Sequence, residues 1–114
     1  LRDVVLSVPV PQLAKRYAIQ LVVGAQPNSE FAPKIVNEFV SLGPSPRAVQ
    51  SLMLASKVRA LVEGRFAVSN DDIKAVAHDV MRHRIIVNFH GAADGVTADR
   101  VIQDVLAHVQ PPAV

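Results

Sequence analysis

Apolar residues recur at helical spacing in four segments of the chain. They follow each other at intervals of three and four residues, which predicts amphipathic α-helices over residues 11–23, 46–63, 70–81 and 98–109. The segments between them are rich in glycine, proline, asparagine and serine, which favour turns. The pattern therefore predicts a mainly α fold class, a small four-helix bundle.

Residues that favour helix ends flank these segments. A serine or threonine hydroxyl at an N-cap accepts a hydrogen bond from a first-turn N–H group, and an acidic residue there complements the helix dipole. Glycine is typical just past a helix C-terminus. The predicted N-caps are Ser45, Ser69 and Thr97, and the predicted stops are Gly24 and Gly64. Asp72 stands at the capping-box distance from Ser69.

The second predicted helix, 46–63, differs from the others because apolar residues cover most of its circumference. A helix that is apolar on most sides is usually buried on most sides. We therefore expect this helix to be the central one. Its apolar positions are Ala48, Val49, Leu52, Met53, Leu54, Ala55, Val58, Ala60, Leu61 and Val62.

Three short segments suggest extended structure, one of them the link over residues 65–69. Residues 35–43 are ambiguous between a helical turn and an extended piece, whereas Ile85, Ile86 and Val87 favour a strand. We expect that strand to pair with residues 66–68 in at most one short two-stranded β element. The segment 90–95 is expected to be a loop.

Composition limits the possible functions. The 114 residues suffice for one domain, and 50% are hydrophobic, which is typical of a globular chain. The absence of cysteine excludes disulfides, thiolate metal sites and a cysteine nucleophile. A net charge of +2 is too small to indicate nucleic-acid binding by itself. No apolar run is long enough to predict a membrane span.

No familiar catalytic motif is present. The chain lacks a phosphate-binding loop and a dinucleotide fingerprint, and its histidines and carboxylates follow no ligand or acid–base spacing. We therefore predict no catalytic residue and no metal site within this chain, and we do not expect it to be active as an enzyme alone. The four histidines are His78, His83, His90 and His108.

Two basic features call for an explanation. Arg47 stands in the first turn of the second helix, where positive charge opposes the helix dipole. An arginine beside a helix N-terminus suits a phosphate, but an exposed arginine without a ligand is the competing interpretation. Arg82 and Arg84 follow the third helix, where cations complement the dipole, and this explains Arg82 without a ligand. Arg84 stands in an apolar stretch where its guanidinium group must find a partner, so both explanations stay open for it.

Residues 43–89 carry a more specific signal. They begin with GPSPRA, continue through GRFAVSNDD and reach RHRI, and AADGV and a last helix follow. These blocks, in this order and spacing, resemble the C-terminal lid of MoxR-type AAA+ ATPases. The resemblance covers most of the chain and is weakest over residues 1–34.

The resemblance assigns roles to individual residues. Arg47 matches the sensor-2 arginine, which faces the γ-phosphate of the nucleotide. Gly43, Ser45 and Pro46 match the turn that positions it. Arg82 and Arg84 match the RHR block, whose role the resemblance does not define. Departures from the family pattern are Pro44 in place of the usual alanine, and His90 with Gly91 where acidic residues are common.

The resemblance also implies a larger protein. Residues 1–10 would link to an ATPase core, 11–110 would form the lid, and 111–114 would be a tail. The core would bind most of the ATP and Mg²⁺, and the isolated domain is expected to hold no cofactor. The parent would form a homo-oligomeric ring, a hexamer, in the cytoplasm. Its clients would be von Willebrand factor A-type proteins or metal enzymes.

Two alternatives of another class stay open. One is a DNA-binding module that places four basic residues on the phosphate backbone, although nucleic-acid binding is unlikely on the low net charge. The other is a helical protein-interaction module without a nucleotide role. The basic residues of the first alternative are Arg47, Lys57, Arg59 and Arg65.

Overall fold

The computed structural model describes residues 2–112, which form a mainly helical domain. The helices are α1 (Arg2–Ser7), α2 (Gln12–Gly24), α3 (Lys34–Phe39), α4 (Arg47–Val62), α5 (Asn70–Met81), α6 (Phe89–Ala93) and α7 (Ala98–His108). A 3₁₀ turn spans Arg82–Arg84, and the strands are β1 (Val40–Leu42) and β2 (Ile86–Val87). The predicted fold class is confirmed, and the four predicted helices correspond to α2, α4, α5 and α7.

The core is aliphatic except for one aromatic ring. The side chain of Tyr17 on α2 is fully buried, together with Leu52 of α4, Ile73 of α5 and Ile102 of α7. Each of the four long helices therefore contributes at least one fully buried side chain to the same cluster. Burial of this apolar surface is the main source of stability in a domain of this size.

Two of the three predicted N-caps are confirmed. Ser69 and Asp72 form a capping box in which each side chain bonds the other residue's backbone N–H group, and Thr97 accepts a hydrogen bond from the Arg100 N–H at 3.1 Å. The prediction for Ser45 is wrong. Helix α4 begins at Arg47 after Pro46, and no side chain caps it.

Helix α4 contacts α1, α2 and α5, but it is not buried on most sides. Its buried residues fall on a single line, whereas Leu54, Val58 and Val62 are exposed, Val62 by 80%. The apolar pattern does not show which face packs, and in this fold the fully buried positions of α4 form one line, with Val49 and Leu61 partly buried beside it. That line is Ala48, Leu52, Ser56 and Ala60.

The β element exists, but its predicted partner is wrong. Strand β2 pairs in antiparallel orientation with β1, with Val40 opposite Val87 and Leu42 opposite Ile86. The segment 66–68 is not a strand, and the Val68 N–H donates instead to the Pro9 carbonyl at 3.1 Å. The ambiguous segment 35–43 contains both the end of α3 and β1.

A further correction concerns residues 90–95. Part of this predicted loop belongs to α6, which begins after Asn88. The Asn88 side chain accepts a hydrogen bond from the Gly91 N–H at 2.8 Å, so an asparagine N-cap starts a helix of only five residues. No cap spacing in the sequence had pointed to it.

The N-terminal segment lies against α4. Helix α1 packs on α4, and the Lys57 Nζ of α4 donates to the Leu6 carbonyl of α1 at 3.4 Å. The domain boundaries at residues 10 and 110 stay predictions, and residues 113 and 114 of the predicted tail lie outside the described residues. Between residues 2 and 112, no helix is long and apolar enough to cross a membrane.

Candidate functional site

The turn that precedes α4 presents an arginine to solvent. Gly43 and Pro44 are buried, whereas Ser45, Pro46 and Arg47 are exposed. The Ala48 N–H donates to the Ser45 carbonyl at 2.9 Å, which tightens the first turn. Some first-turn N–H groups thus already have partners. The attraction of this end for an anion therefore depends mainly on the Arg47 side chain.

Gln26, in the loop after α2, holds this turn in place. Its side-chain amide donates to the Pro44 carbonyl. A β-carbon at position 43 would lie 2.5 Å from the Ala25 carbonyl oxygen and 2.7 Å from the Gln26 Oε1 atom. Only glycine allows this approach. The role of Gln26 could not be predicted from the sequence, because the contact spans 18 residues and has no local signature.

Arg47 is the first helical residue of α4, and its side chain is exposed. Among residues 2–112 no hydrogen bond and no ion pair holds its guanidinium group. The buried turn on one side and the helix on the other fix its backbone. The guanidinium group is therefore available to an anion that comes from outside the domain.

Arg84, in the 3₁₀ turn after α5, also lies at the start of α4. One of its Nη atoms donates to the Ser51 hydroxyl at 3.3 Å, and the other donates to the Val80 carbonyl. Ser51 lies one helical turn after Arg47 on α4. Arg84 also lines an open cavity of about 630 Å³ at the start of α4. The other lining residues are Gln26, Leu42, Gly43, Pro44, Ser45 and Pro46.

Arg82 lies elsewhere. Its Nε atom lies 3.2 Å from the Asp99 Oδ1 atom at the start of α7, and the His78 Nδ1 atom also lies 3.2 Å from that oxygen. Arg82 and His78 therefore join α5 to α7. Of the two basic residues predicted after the third helix, the structure brings only Arg84 to the turn.

A second group of charges joins the end of α4 to the start of α5. The Asp72 side chain is fully buried, accepts a hydrogen bond from the Ser69 N–H at 2.9 Å and forms ion pairs with Arg59 and Arg65. The hydrogen bond to Glu63 is the main reason why the pKa of Arg65 is raised, and the charge of Asp72 adds to it against the opposing effect of burial. We call Arg59, Glu63, Arg65 and Asp72 the interhelical ion cluster.

This cluster bears on the DNA-binding alternative. Two of the four basic residues proposed for the phosphate backbone, Arg59 and Arg65, already bind carboxylates within the domain. Lys57 also directs its ammonium group at a carbonyl of α1. The basic residues thus do not form one open surface. In addition, the described part of the chain contains no group of three or more residues that could ligate a metal.

Comparison with known proteins identifies the family. The model of the AAA lid domain family matches residues 32–105, which cover most of the chain from α3 to α7. The chain belongs to this family. A crystal structure of a candidate ATPase from Cytophaga hutchinsonii is similar over 98% of the chain, with a TM-score of 0.92 and 28% sequence identity.

Two curated relatives narrow the family further. The chain is 33% identical over 98 residues to the chaperone MoxR1 of Mycobacterium tuberculosis, which is 86% of this chain and 26% of that protein. It is 42% identical over 52 residues to protein MoxR of Methylorubrum extorquens, 46% of this chain and 15% of that protein. The resemblance to the lid domain of MoxR-family AAA+ ATPases is confirmed. The chain spans about a quarter of MoxR1 and about a third of the Cytophaga protein.

Proposed function

We propose that this domain is the nucleotide-sensing lid of a MoxR-type ATPase and that Arg47 contacts the γ-phosphate of bound ATP. The observation that carries the proposal is the placement of Arg47. It is exposed at the start of α4, on a turn held by Gln26, and no group among residues 2–112 neutralises it. The guanidinium fork matches phosphate oxygens in two parallel hydrogen bonds.

The proposed mechanism is a shift between two lid positions. Bound γ-phosphate pairs with Arg47 and holds the lid against the ATPase core, and hydrolysis removes that partner. A ligand shifts such an equilibrium only by its difference in affinity for the two positions. One charge-assisted contact contributes roughly 1.5 to 3 kcal/mol to that difference.

The wider role follows from the family. ATP and Mg²⁺ would be bound mainly by the core, and this domain would add no catalytic group. The lid movement would pass through a homo-oligomeric ring, a hexamer in the cytoplasm, to a client protein. The name chaperone, given to MoxR1, supports remodelling or assembly of partner proteins as the outcome. Von Willebrand factor A-type proteins and metal enzymes are the expected clients.

The test uses the full-length ATPase that carries this domain. Arg47→Ala is expected to lower the rate of ATP hydrolysis by about tenfold or more, because one charge-assisted contact is lost. The matched control is Arg100→Ala, since Arg100 is also an exposed arginine in the first turn of a helix, α7. Its variant should hydrolyse ATP at the parent rate. Parent-rate hydrolysis by Arg47→Ala would refute the proposal.

A further inference from the structure

We propose that Arg84 is a second phosphate-binding residue and that it binds the nucleotide together with Arg47. This inference rests on the proposed function, since it concerns the same site and the same ligand. The family comparisons assign no role to Arg84. Three features of Arg84 support it: the position of its guanidinium group, the charges around it and its unused hydrogen-bond donors.

A contact with α4 positions the guanidinium group of Arg84. Arg84 belongs to the 3₁₀ turn after α5, yet its Nη2 atom lies 3.3 Å from the Ser51 hydroxyl on α4. Residues four apart on a helix share a face and are separated by about 6 Å along the axis. Ser51 is therefore on the same face as Arg47, one turn further from the helix start. Arg84 also lines the cavity together with Ser45 and Pro46, the two residues that precede Arg47 in the chain.

The local charge is positive and uncompensated. No acidic side chain lines this cavity, and within residues 2–112 neither Arg47 nor Arg84 forms an ion pair. Arg59, Arg65 and Arg82, which lie elsewhere in the domain, each contact a carboxylate. Neither cation has a counter-charge among these residues, and an anion that contacts both would supply one. The site is thus suited to a ligand with several negative oxygens.

The hydrogen bonds of Arg84 leave donors for such a ligand. A guanidinium group has five N–H donors, and the structure uses it for two neutral acceptors, the Ser51 hydroxyl and the Val80 carbonyl. These contacts fix the plane of the group, so less rotamer entropy is lost when a phosphate binds. A polyphosphate chain carries enough anionic oxygens to contact Arg84 and Arg47 at once.

A purely structural role is the competing explanation. The Val80 carbonyl belongs to the last turn of α5, and a basic side chain commonly binds such carbonyls. A capping role needs only a hydrogen-bond donor, whereas a phosphate contact needs positive charge. Glutamine and lysine separate the two requirements, because glutamine keeps amide donors without charge and lysine keeps the charge.

The experiment compares three variants of the full-length ATPase. Dissociation constants for ATP and for ADP, and the thermal unfolding temperature, are measured for Arg84→Gln, Arg84→Lys and Arg82→Gln. Arg84→Gln is expected to weaken ATP binding by about tenfold, the loss of one charge-assisted contact, and ADP binding by less. Arg84→Lys should recover part of the ATP affinity. Arg82→Gln, whose arginine faces α7, should leave the ratio of ATP to ADP affinity unchanged.

Three outcomes decide between the proposals. Unchanged ATP affinity in Arg84→Gln, with slow hydrolysis in Arg47→Ala, overturns the role of Arg84 and leaves that of Arg47. Weak ATP binding in Arg84→Gln that lysine partly restores, with normal hydrolysis in Arg47→Ala, supports Arg84 and refutes Arg47. Equal losses of ATP and ADP affinity and of thermal stability in both Arg84 variants would show a structural role and overturn the inference.

Discussion

Gly43 lies so close to the Ala25 carbonyl and to the Gln26 side chain that no side chain fits at position 43. A β-carbon at position 43 would be 2.7 Å from the Gln26 Oε1 atom, and the Gln26 amide donates to the next carbonyl, that of Pro44. The loop after α2 and the turn before α4 are therefore locked together. Any change that separates them also changes the direction in which Arg47 leaves the turn.

Gly43→Ala is expected to destabilise the domain by about 1 to 3 kcal/mol, because the added methyl group meets a backbone carbonyl and Gln26 in a closely packed turn. It should also slow ATP hydrolysis in the full-length protein through a misplaced Arg47. Urea unfolding measures the first effect. The control is Gly95→Asn, at an open position with φ of +77° that asparagine tolerates. A Gly43→Ala domain as stable as this control would contradict the proposed contact.

The face of α4 that packs can be tested with one substitution at two positions. Leu52 is fully buried, whereas Leu54 is 49% exposed on the same helix. Leu52→Ala should lower the free energy of unfolding by about 2 to 5 kcal/mol, because it leaves a cavity. Leu54→Ala should change it by no more than about 0.5 kcal/mol. Chemical denaturation of the two variants measures both values, and equal losses would contradict the structure.

The contribution of Asp72, the buried carboxylate of the interhelical ion cluster, to stability can be compared with that of its exposed neighbour Asp71. Asp72 is fully buried and completes the capping box with Ser69, whereas Asp71 is exposed. Asp72→Ala is expected to cost about 2 kcal/mol of stability, since the Ser69 N–H loses its acceptor and the ion pairs with Arg59 and Arg65 are lost. Asp71→Ala should cost less than about 1 kcal/mol. A smaller loss in Asp72→Ala than in Asp71→Ala would show that the cluster does not stabilise the helix junction.

Tyr17 gives a prediction about pH. Its hydroxyl is buried without a hydrogen-bond partner among the described residues, and burial, with a smaller contribution from Asp71, raises the pKa of Tyr17 above 10.0. The folded state therefore keeps the phenol proton at a pH where the unfolded chain has lost it. Stability is at its full value below pH 10 and falls as the pH rises through the raised pKa.

Tyr17→Phe should remove this part of the alkaline loss of stability. At neutral pH the variant should be as stable as the parent, or more stable by about 1 kcal/mol, because an unpaired buried hydroxyl is removed. The aromatic ring under Lys74 is retained. Denaturant unfolding at several pH values makes the comparison, and absorbance follows the single tyrosine directly. An identical alkaline profile in both proteins would contradict the assignment.

The features that the sequence predicted correctly are local ones. The Ser69–Asp72 capping box and the Thr97 cap depend on residues three positions apart, so their chemistry is visible in the sequence. The position of Arg47 at a helix start was also visible, and the family blocks around it identified the domain. Local spacing carries this information because hydrogen bonds at helix ends join near neighbours.

The features that the sequence missed depend on distant contacts. Gln26 meets Pro44 across 18 residues, Arg84 meets Ser51 across 33, and the strand partner of Ile86 lies near residue 42. Side-chain type alone does not determine which of several short apolar segments pair. The apolar pattern of α4 likewise did not reveal that Val62 would stay exposed, because packing selects one face by fit with neighbouring helices.

The two ends of α4 are attached differently, and this has a mechanical consequence. The helix has 16 residues and is therefore about 24 Å long. Arg47 stands at the end that Gln26 holds through the preceding turn and that Arg84 bonds at Ser51, whereas Arg59 and Glu63 join the other end to the start of α5 through Asp72. The two helices would then act as one lever: a tilt of about 5° around the Arg47 end displaces the far end by about 2 Å. Under the proposed function, loss of the γ-phosphate at Arg47 would therefore move the opposite side of the domain.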